Sequence, residues 1–164
     1  MAVPRIAIVH TWTNTQNEGW FRIEFDRLQI PYSYISDHVI RDTPNLREKF
    51  DVIIFPPVGG SAQSIVNGTP MRGDPVPWKF SELTPNIGKI DSTDDIRPGM
   101  GWAGLANLQK FLREGGVLAI QGNYDESVSS GKADCGCGYT DPRDNEFAQL
   151  MYDYTLAHTS RGAA

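Results

Sequence analysis

Three short apolar runs, each closed by turn residues, constrain this chain more than any other feature. They are Ile6-Ala7-Ile8-Val9, Val52-Ile53-Ile54-Phe55 and Val117-Leu118-Ala119-Ile120. Runs apolar at every position, without the alternation of a half-wet sheet, read as strands covered on both faces, as in a parallel sheet. A fourth run, Ile30 to Ile35, alternates and reads as a strand near an edge. Before the last strand stands Gly115-Gly116, a helix stop, and after it the tight turn Gln121-Gly122-Asn123. In an open parallel sheet such a turn at a strand's carboxyl end is where a nucleophile or a ligand-binding loop sits.

The intervening segments carry helical signals. Thr15-Gln16-Asn17-Glu18 fits a capping box, and the helix after it places Phe21, Phe25 and Leu28 on one face with Trp20 and Ile23 beside them. Glu18, Arg22, Asp26 and Arg27 fall mostly on the other side. Thr43-Pro44 reads as an N-cap and first helical position for a short helix through Lys49. Ser61 to Asn67 reads as one or two helical turns closed by Gly68, and Gly104 to Glu114 as a longer helix with Leu105, Leu108, Phe111 and Leu112 on one face. Phe147, Leu150, Met151 and Tyr154 mark a last amphipathic helix. Strands alternating with helices predict a doubly wound α/β fold, its sheet mostly parallel with helices on both faces, as one domain over residues 1–164.

Residues 67–99 interrupt this pattern. Prolines 70, 75, 77, 85 and 98 leave no helical period, yet Trp78, Phe80, Leu83 and Ile87 are too apolar for a solvated linker. The reading is an ordered excursion packed over the sheet. Tyr124 to Asp144, rich in glycine, serine and aspartate, reads as loop.

Charge excludes some partners. Fifteen basic against twenty acidic residues give a net charge of −5 with no basic run, which argues against nucleic acid and anionic membrane surfaces. No apolar stretch nears the roughly 20 residues of a membrane span. Met1 to Arg5 leads straight into a strand and reads as no signal peptide. A whole protein of this kind is expected in the cytoplasm; a piece of a secreted peptidase, outside it. Cys135 and Cys137 are too close for an unstrained disulfide and lack a second pair for zinc, so they read as loop thiols.

Three loops converge at the carboxyl ends of the strands: His10 to Asn14, Pro56 to Gly60, and Gln121 to Asn123. His10, beside Trp12, is the titratable group best placed to act as a base or ligand, with Asp91 and Asp94 as candidate acidic partners. Pro57-Val58-Gly59-Gly60-Ser61 before a helix could offer free amides to an anion, although a tight strand-to-helix turn needs the same glycines. Gln121 can donate and accept hydrogen bonds but forms no acyl intermediate, and no Gly-x-Ser-x-Gly stands elsewhere. Asp91-Ser92-Thr93-Asp94-Asp95 concentrates carboxylates that could attract calcium, but it lacks the glycine and distal glutamate of an EF-hand; Asp94 and Asp95 with Arg97 read more simply as a cap and ion pair in the approach to the helix. Gly99-Met100-Gly101-Trp102-Ala103-Gly104 matches a dinucleotide fingerprint but follows no strand, so neither a metal nor a cofactor is expected.

Several segments carry a resemblance. They are Pro4 to Thr13 (PRIAIVHTWT), Asn17 with Glu18-Gly19-Trp20, Leu46 to Pro56 (LREKFDVIIFP), Asp95 to Gly101 (DIRPGMG) and Gly104 to Leu108 (GLANL). Over about residues 4–122 the chain resembles the class I glutamine amidotransferase-like domains, and among them the domain appended to bacterial zinc carboxypeptidases of the carboxypeptidase A type. Residues 123–164 are atypical. The resemblance implies a flavodoxin-like fold whose ancestors carried a Cys-His pair, the cysteine directly after a strand like Val117–Ile120. Gln121 stands in that place, so amidotransferase or protease activity is not carried over.

Two functions follow as expectations. One is a non-catalytic accessory domain for substrate positioning or dimerisation, partnered by the peptidase domain of a parent chain or by a second copy. It would use Trp12, Trp78 and Trp102 as an exposed contact surface and bind ligand at His10, Trp12, Gly59, Gly60, Gln121 and Gly122. The other is a small stand-alone hydrolase of esters, lactones or amides in which His10 and Asp91 or Asp94 activate water.

Overall fold

A computed structural model describes residues 3–13, 15–56, 62–120 and 146–159 of the chain. Its sheet has four strands, β1 (Ile6–His10), β2 (Tyr32–Ser36), β3 (Val52–Phe55) and β4 (Val117–Ile120), in the order β2-β1-β3-β4. All three neighbouring pairs are parallel, with Ile6 level with both Tyr32 and Val52, and Val52 level with Val117. This order is the flavodoxin-like one, and it places the alternating strand β2 at an edge.

The two faces of the sheet are built differently. Ala7, Val9, Ile35, Ile53 and Phe55 point into the main core, where they meet residues of five helices. These are α2 (Asp37–Asp42), α3 (Leu46–Lys49), α4 (Ala62–Asn67), α5 (Gly101–Arg113) and α6 (Glu146–Thr159). Ile40, Leu46, Val66, Leu105, Leu108, Phe111 and Met151 complete it. Removing such side chains from water is the main stabilising term, about 1.5–3 kcal/mol for each fully buried large aliphatic or aromatic group. α5 delivers Leu105, Leu108 and Phe111 because its apolar positions recur at helical spacing, and it ends at Gly115, whose φ of +82° suits glycine.

The opposite face carries Ile8, Tyr32 and Tyr34 and is covered by α1 (Gln16–Arg27). Here the structure corrects the sequence reading. Trp20, Ile23 and Leu28, expected on or beside the buried face, are 66%, 57% and 54% exposed, whereas Glu18 is only 2% exposed. The side of α1 turned to the sheet is mixed: Phe21 and Phe25 are half-buried as expected, Phe25 meeting Tyr32 edge-on at 5.8 Å, and Glu18 and Arg22 join them because β2 offers phenols rather than aliphatic groups. The Tyr32 hydroxyl donates to Asp26 at 3.1 Å, Arg22 lies 4.2 Å from the Tyr34 ring centroid, and the Tyr34 hydroxyl donates to Glu18. Thr15 is the N-cap residue but makes no side-chain capping bond, so Glu18 serves the sheet and not a capping box. α3 begins with Asn45 as N-cap, later than the Thr43-Pro44 signal.

Of the apolar groups expected to pack the excursion over the sheet, Trp78 and Ile87 are half-buried but Phe80 and Leu83 are 65% and 93% exposed, and the excursion is anchored at its far end. Arg97, 8% exposed, is held by Asp95 at 2.6 and 2.8 Å and donates to the carbonyls of Arg72 and Gly73, both at 3.1 Å. A two-residue bridge pairs Trp78 with Thr93. Gly68 closes α4 with φ +74°, and a Cβ built on it would lie 1.9 Å from the Arg97 carbonyl oxygen. A Cβ on Gly99 would lie 2.4 Å from the Ile65 carbonyl. Gly99, the first glycine of the fingerprint at the start of α5, is thus explained by close backbone approach to α4.

Candidate functional site

β1 ends at His10, and the loop after it carries Trp12, so the carboxyl end of the central strand supplies the first two groups of the site. The His10 ring stacks on Tyr34 of β2 at 4.3 Å and meets Trp12 edge-on at 5.0 Å. Its Nε2 lies 3.1 Å from Asp91 Oδ2, a carboxylate reaching in from the excursion eighty-one positions away. The other Asp91 oxygen accepts the Ser92 backbone N–H at 2.8 Å. His10 is 4% exposed, and that burial holds its pKa below the ordinary 6.5; Asp91 and the Thr11 backbone pull upward, and Arg22 reinforces the decrease. The imidazole is therefore neutral at pH 7.

Of the two acidic partners expected from sequence, the structure brings only Asp91 to His10. Asp94 is 88% exposed in its side chain and pairs with Lys79, so it leaves the site. Asp95 pairs with Arg97, which holds its carboxyl well below the usual range. With the three carboxylates engaged separately, the calcium reading of Asp91 to Asp95 falls. Among the described residues no group of three His, Cys, Asp or Glu side chains is placed to hold a metal ion.

Around this pair lies a cavity of about 330 Å³. α1 contributes Arg22, the strand ends contribute His10, Trp12 and Tyr34, and the excursion contributes Trp78, Lys89 and Asp91. Beneath the Tyr34 hydroxyl sits Glu18, whose Oε2 has no hydrogen-bond partner among the described residues. Burial raises the Glu18 pKa to about 7, against the opposing pulls of Tyr34 and Arg22. Neither the shape of this cavity nor the role of Glu18 was legible beforehand, since a helix's polar side is normally its wet side.

Trp12 and Thr11 also line a second cavity, of about 220 Å³, together with Asp37, Ser64, Thr69 and Pro98. Trp12 is 5% exposed, a correction to its expected place on an open contact surface; Trp78 is half-buried, and Trp102 is 61% exposed and stacks on Tyr154 at 6.2 Å. Asp37, at the start of the unanticipated helix α2, is 4% exposed, and burial raises its pKa to about 7. It accepts the His38 backbone N–H at 2.9 Å. The Trp12 indole N–H lies near enough to favour the Asp37 carboxylate, but it makes no hydrogen bond of normal geometry among the described residues. His38 Nε2 donates to the Pro98 carbonyl at 2.7 Å, tying α2 to the excursion.

Gly59, Gly60, Gln121, Gly122, Cys135 and Cys137 lie outside the described residues. The chain matches no protein-family model, no curated protein and no solved structure.

Proposed function

We propose that the chain is a non-catalytic, amidotransferase-like accessory domain whose strand-end pocket holds part of a substrate for the peptidase domain of a parent bacterial zinc carboxypeptidase. The carrying observation is the composition of that pocket: a buried His10–Asp91 pair, Arg22, Lys89 and aromatic walls, with neither serine nor cysteine among the described residues that line it. The residue directly after β4, where the resemblance puts a cysteine, is Gln121. A histidine with a carboxylate behind it activates a nucleophile only where one is within reach. The row Trp20, Ile23 and Leu28, exposed on α1, supports an accessory role by offering apolar area to the parent's peptidase domain.

One observation favours the alternative of a small hydrolase. His10 is neutral at pH 7 and oriented by Asp91 at 3.1 Å, as a base acting on water requires. A screen on acyl ester, lactone and peptide substrates, run beside His10→Ala, separates the two. The accessory reading expects no turnover above background in either protein. Turnover that disappears in His10→Ala overturns it in favour of the hydrolase. Light scattering decides whether the α1 row pairs two copies instead of a peptidase domain.

A further inference from the structure

The cavity beside His10 has an uneven charge inventory. Arg22 projects from α1 and Lys89 from the excursion, and neither makes an ion pair among the described residues. Arg22 touches the Tyr32 hydroxyl at 3.4 Å and the face of Tyr34, both uncharged. Among the described residues the single carboxylate in the lining, Asp91, is already engaged by His10 and by the Ser92 N–H. Two cations thus face one committed anion across a small space walled by Trp12, Trp78 and Ile87.

We infer that this pocket binds a monocarboxylate bearing an aromatic or branched apolar group, the carboxylate meeting Arg22 and Lys89 and the apolar body lying against Trp12 and Trp78. The inference rests on the ligand-holding role proposed above and names its ligand class. A guanidinium presents a planar fork that matches a carboxylate, and it is worth most where water is partly excluded. One positive charge in excess suits a monoanion better than a phosphate dianion. A volume of about 330 Å³ is at the lower end for ligand pockets, enough for one ring and a short acid arm. Glu18, the buried carboxyl behind Tyr34, is largely protonated at mildly acidic pH and does not repel the incoming anion there. The same chemistry arises from a free aromatic acid or from the carboxyl terminus of a peptide.

The test is a tryptophan-fluorescence titration of the full chain at pH 6.5. Its probes are 3-phenylpropionate, 3-phenylpropanamide, acetate, inorganic phosphate, and a tetrapeptide ending in phenylalanine as free acid. The expected result is that 3-phenylpropionate binds at least tenfold more tightly than its amide or acetate. In Arg22→Gln, checked for native circular dichroism, that preference is expected to shrink to about twofold, with Arg22→Lys in between. Preference for the peptide over the free acid would assign the chain-terminus source, and equal binding the free-acid source; either supports the inference. Acid and amide binding equally, or phosphate binding more tightly than the acid, overturns the carboxylate assignment and leaves the pocket's ligand-holding role standing. If none of the five perturbs the fluorescence, both readings fall.

Discussion

Replacing Glu18 by glutamine should make this protein more stable in mild alkali, against the usual rule that mutating a buried polar group costs stability. Glu18 is 2% exposed, one carboxylate oxygen has no partner among the described residues, and the other accepts from Tyr34. Burial raises its pKa from the ordinary 4.5 to about 7. A carboxyl with a raised folded-state pKa prefers its proton in the native state. Its contribution is fully present below about pH 4.5 and is lost as pH climbs through 7. At about 1.36 kcal/mol per pH unit, that interval corresponds to about 3 kcal/mol above pH 7. Screening through the adjoining open cavity lowers the usable figure to roughly 2 kcal/mol. Glutamine keeps the shape and accepts from Tyr34 without a charge to desolvate. Urea unfolding followed by tryptophan fluorescence, at pH 4 and pH 8, measures the difference. The expected outcome is near-equal stability at pH 4 and a variant more stable by roughly 2 kcal/mol at pH 8. Equal destabilisation of Glu18→Gln at both pH values refutes the reasoning, because it would mean that the Glu18 pKa is the same in the folded and the unfolded chain.

Two other substitutions probe the packing that positions the site. Gly68→Ala places a Cβ 1.9 Å from the Arg97 carbonyl oxygen at a φ of +74°, so it should destabilise by about 2–4 kcal/mol, read as a lower urea midpoint with an unchanged slope. Phe111→Ala empties a fully buried position of α5 and should cost about 3–5 kcal/mol in the same assay, with binding of 3-phenylpropionate retained below the transition.

The fold was legible because its signals are local. Continuous apolarity announces the strands, and the glycines after α4 and α5 announce their ends, but of the burial expected on both faces only β1 shows it: β3 is half-buried on one face, and β4, at an edge of the sheet, alternates exposed and half-buried with Val117 55% exposed. α2 escaped notice because Asp37, His38 and Arg41 break any apolar period, and its buried side is paired through His38–Pro98 and through Asn107, which donates to the Ile40 and Arg41 carbonyls. The orientation of α1 was misread for a related reason. Hydrophobic spacing predicts which side faces a hydrocarbon surface, whereas β2 presents Tyr32 and Tyr34, for which carboxylates and guanidinium are the better complement. His10 was recognisable as a strand-end histidine. The choice between Asp91 and Asp94 was not, because it depends on the fold of an excursion whose prolines carry no periodicity.

That excursion decides what the site is. β1, β2 and α1 supply His10, Tyr34 and Arg22, groups that a flavodoxin-like sheet places at its carboxyl edge whatever follows. Residues 67–99 supply Trp78, Lys89 and Asp91, which close the cavity, add the second cation and bind the imidazole. Arg97 fixes this loop by two backbone carbonyls and Asp95, and Gly68 and Gly99 let its end lie directly on α4. These anchors hold the loop at residues 72, 73 and 95–99, while its cavity side is tied through the Trp78–Thr93 bridge and the contact of Asp91 with His10. Catalysis through an acyl-enzyme would require a nucleophile at the end of β4, where the chain has Gln121.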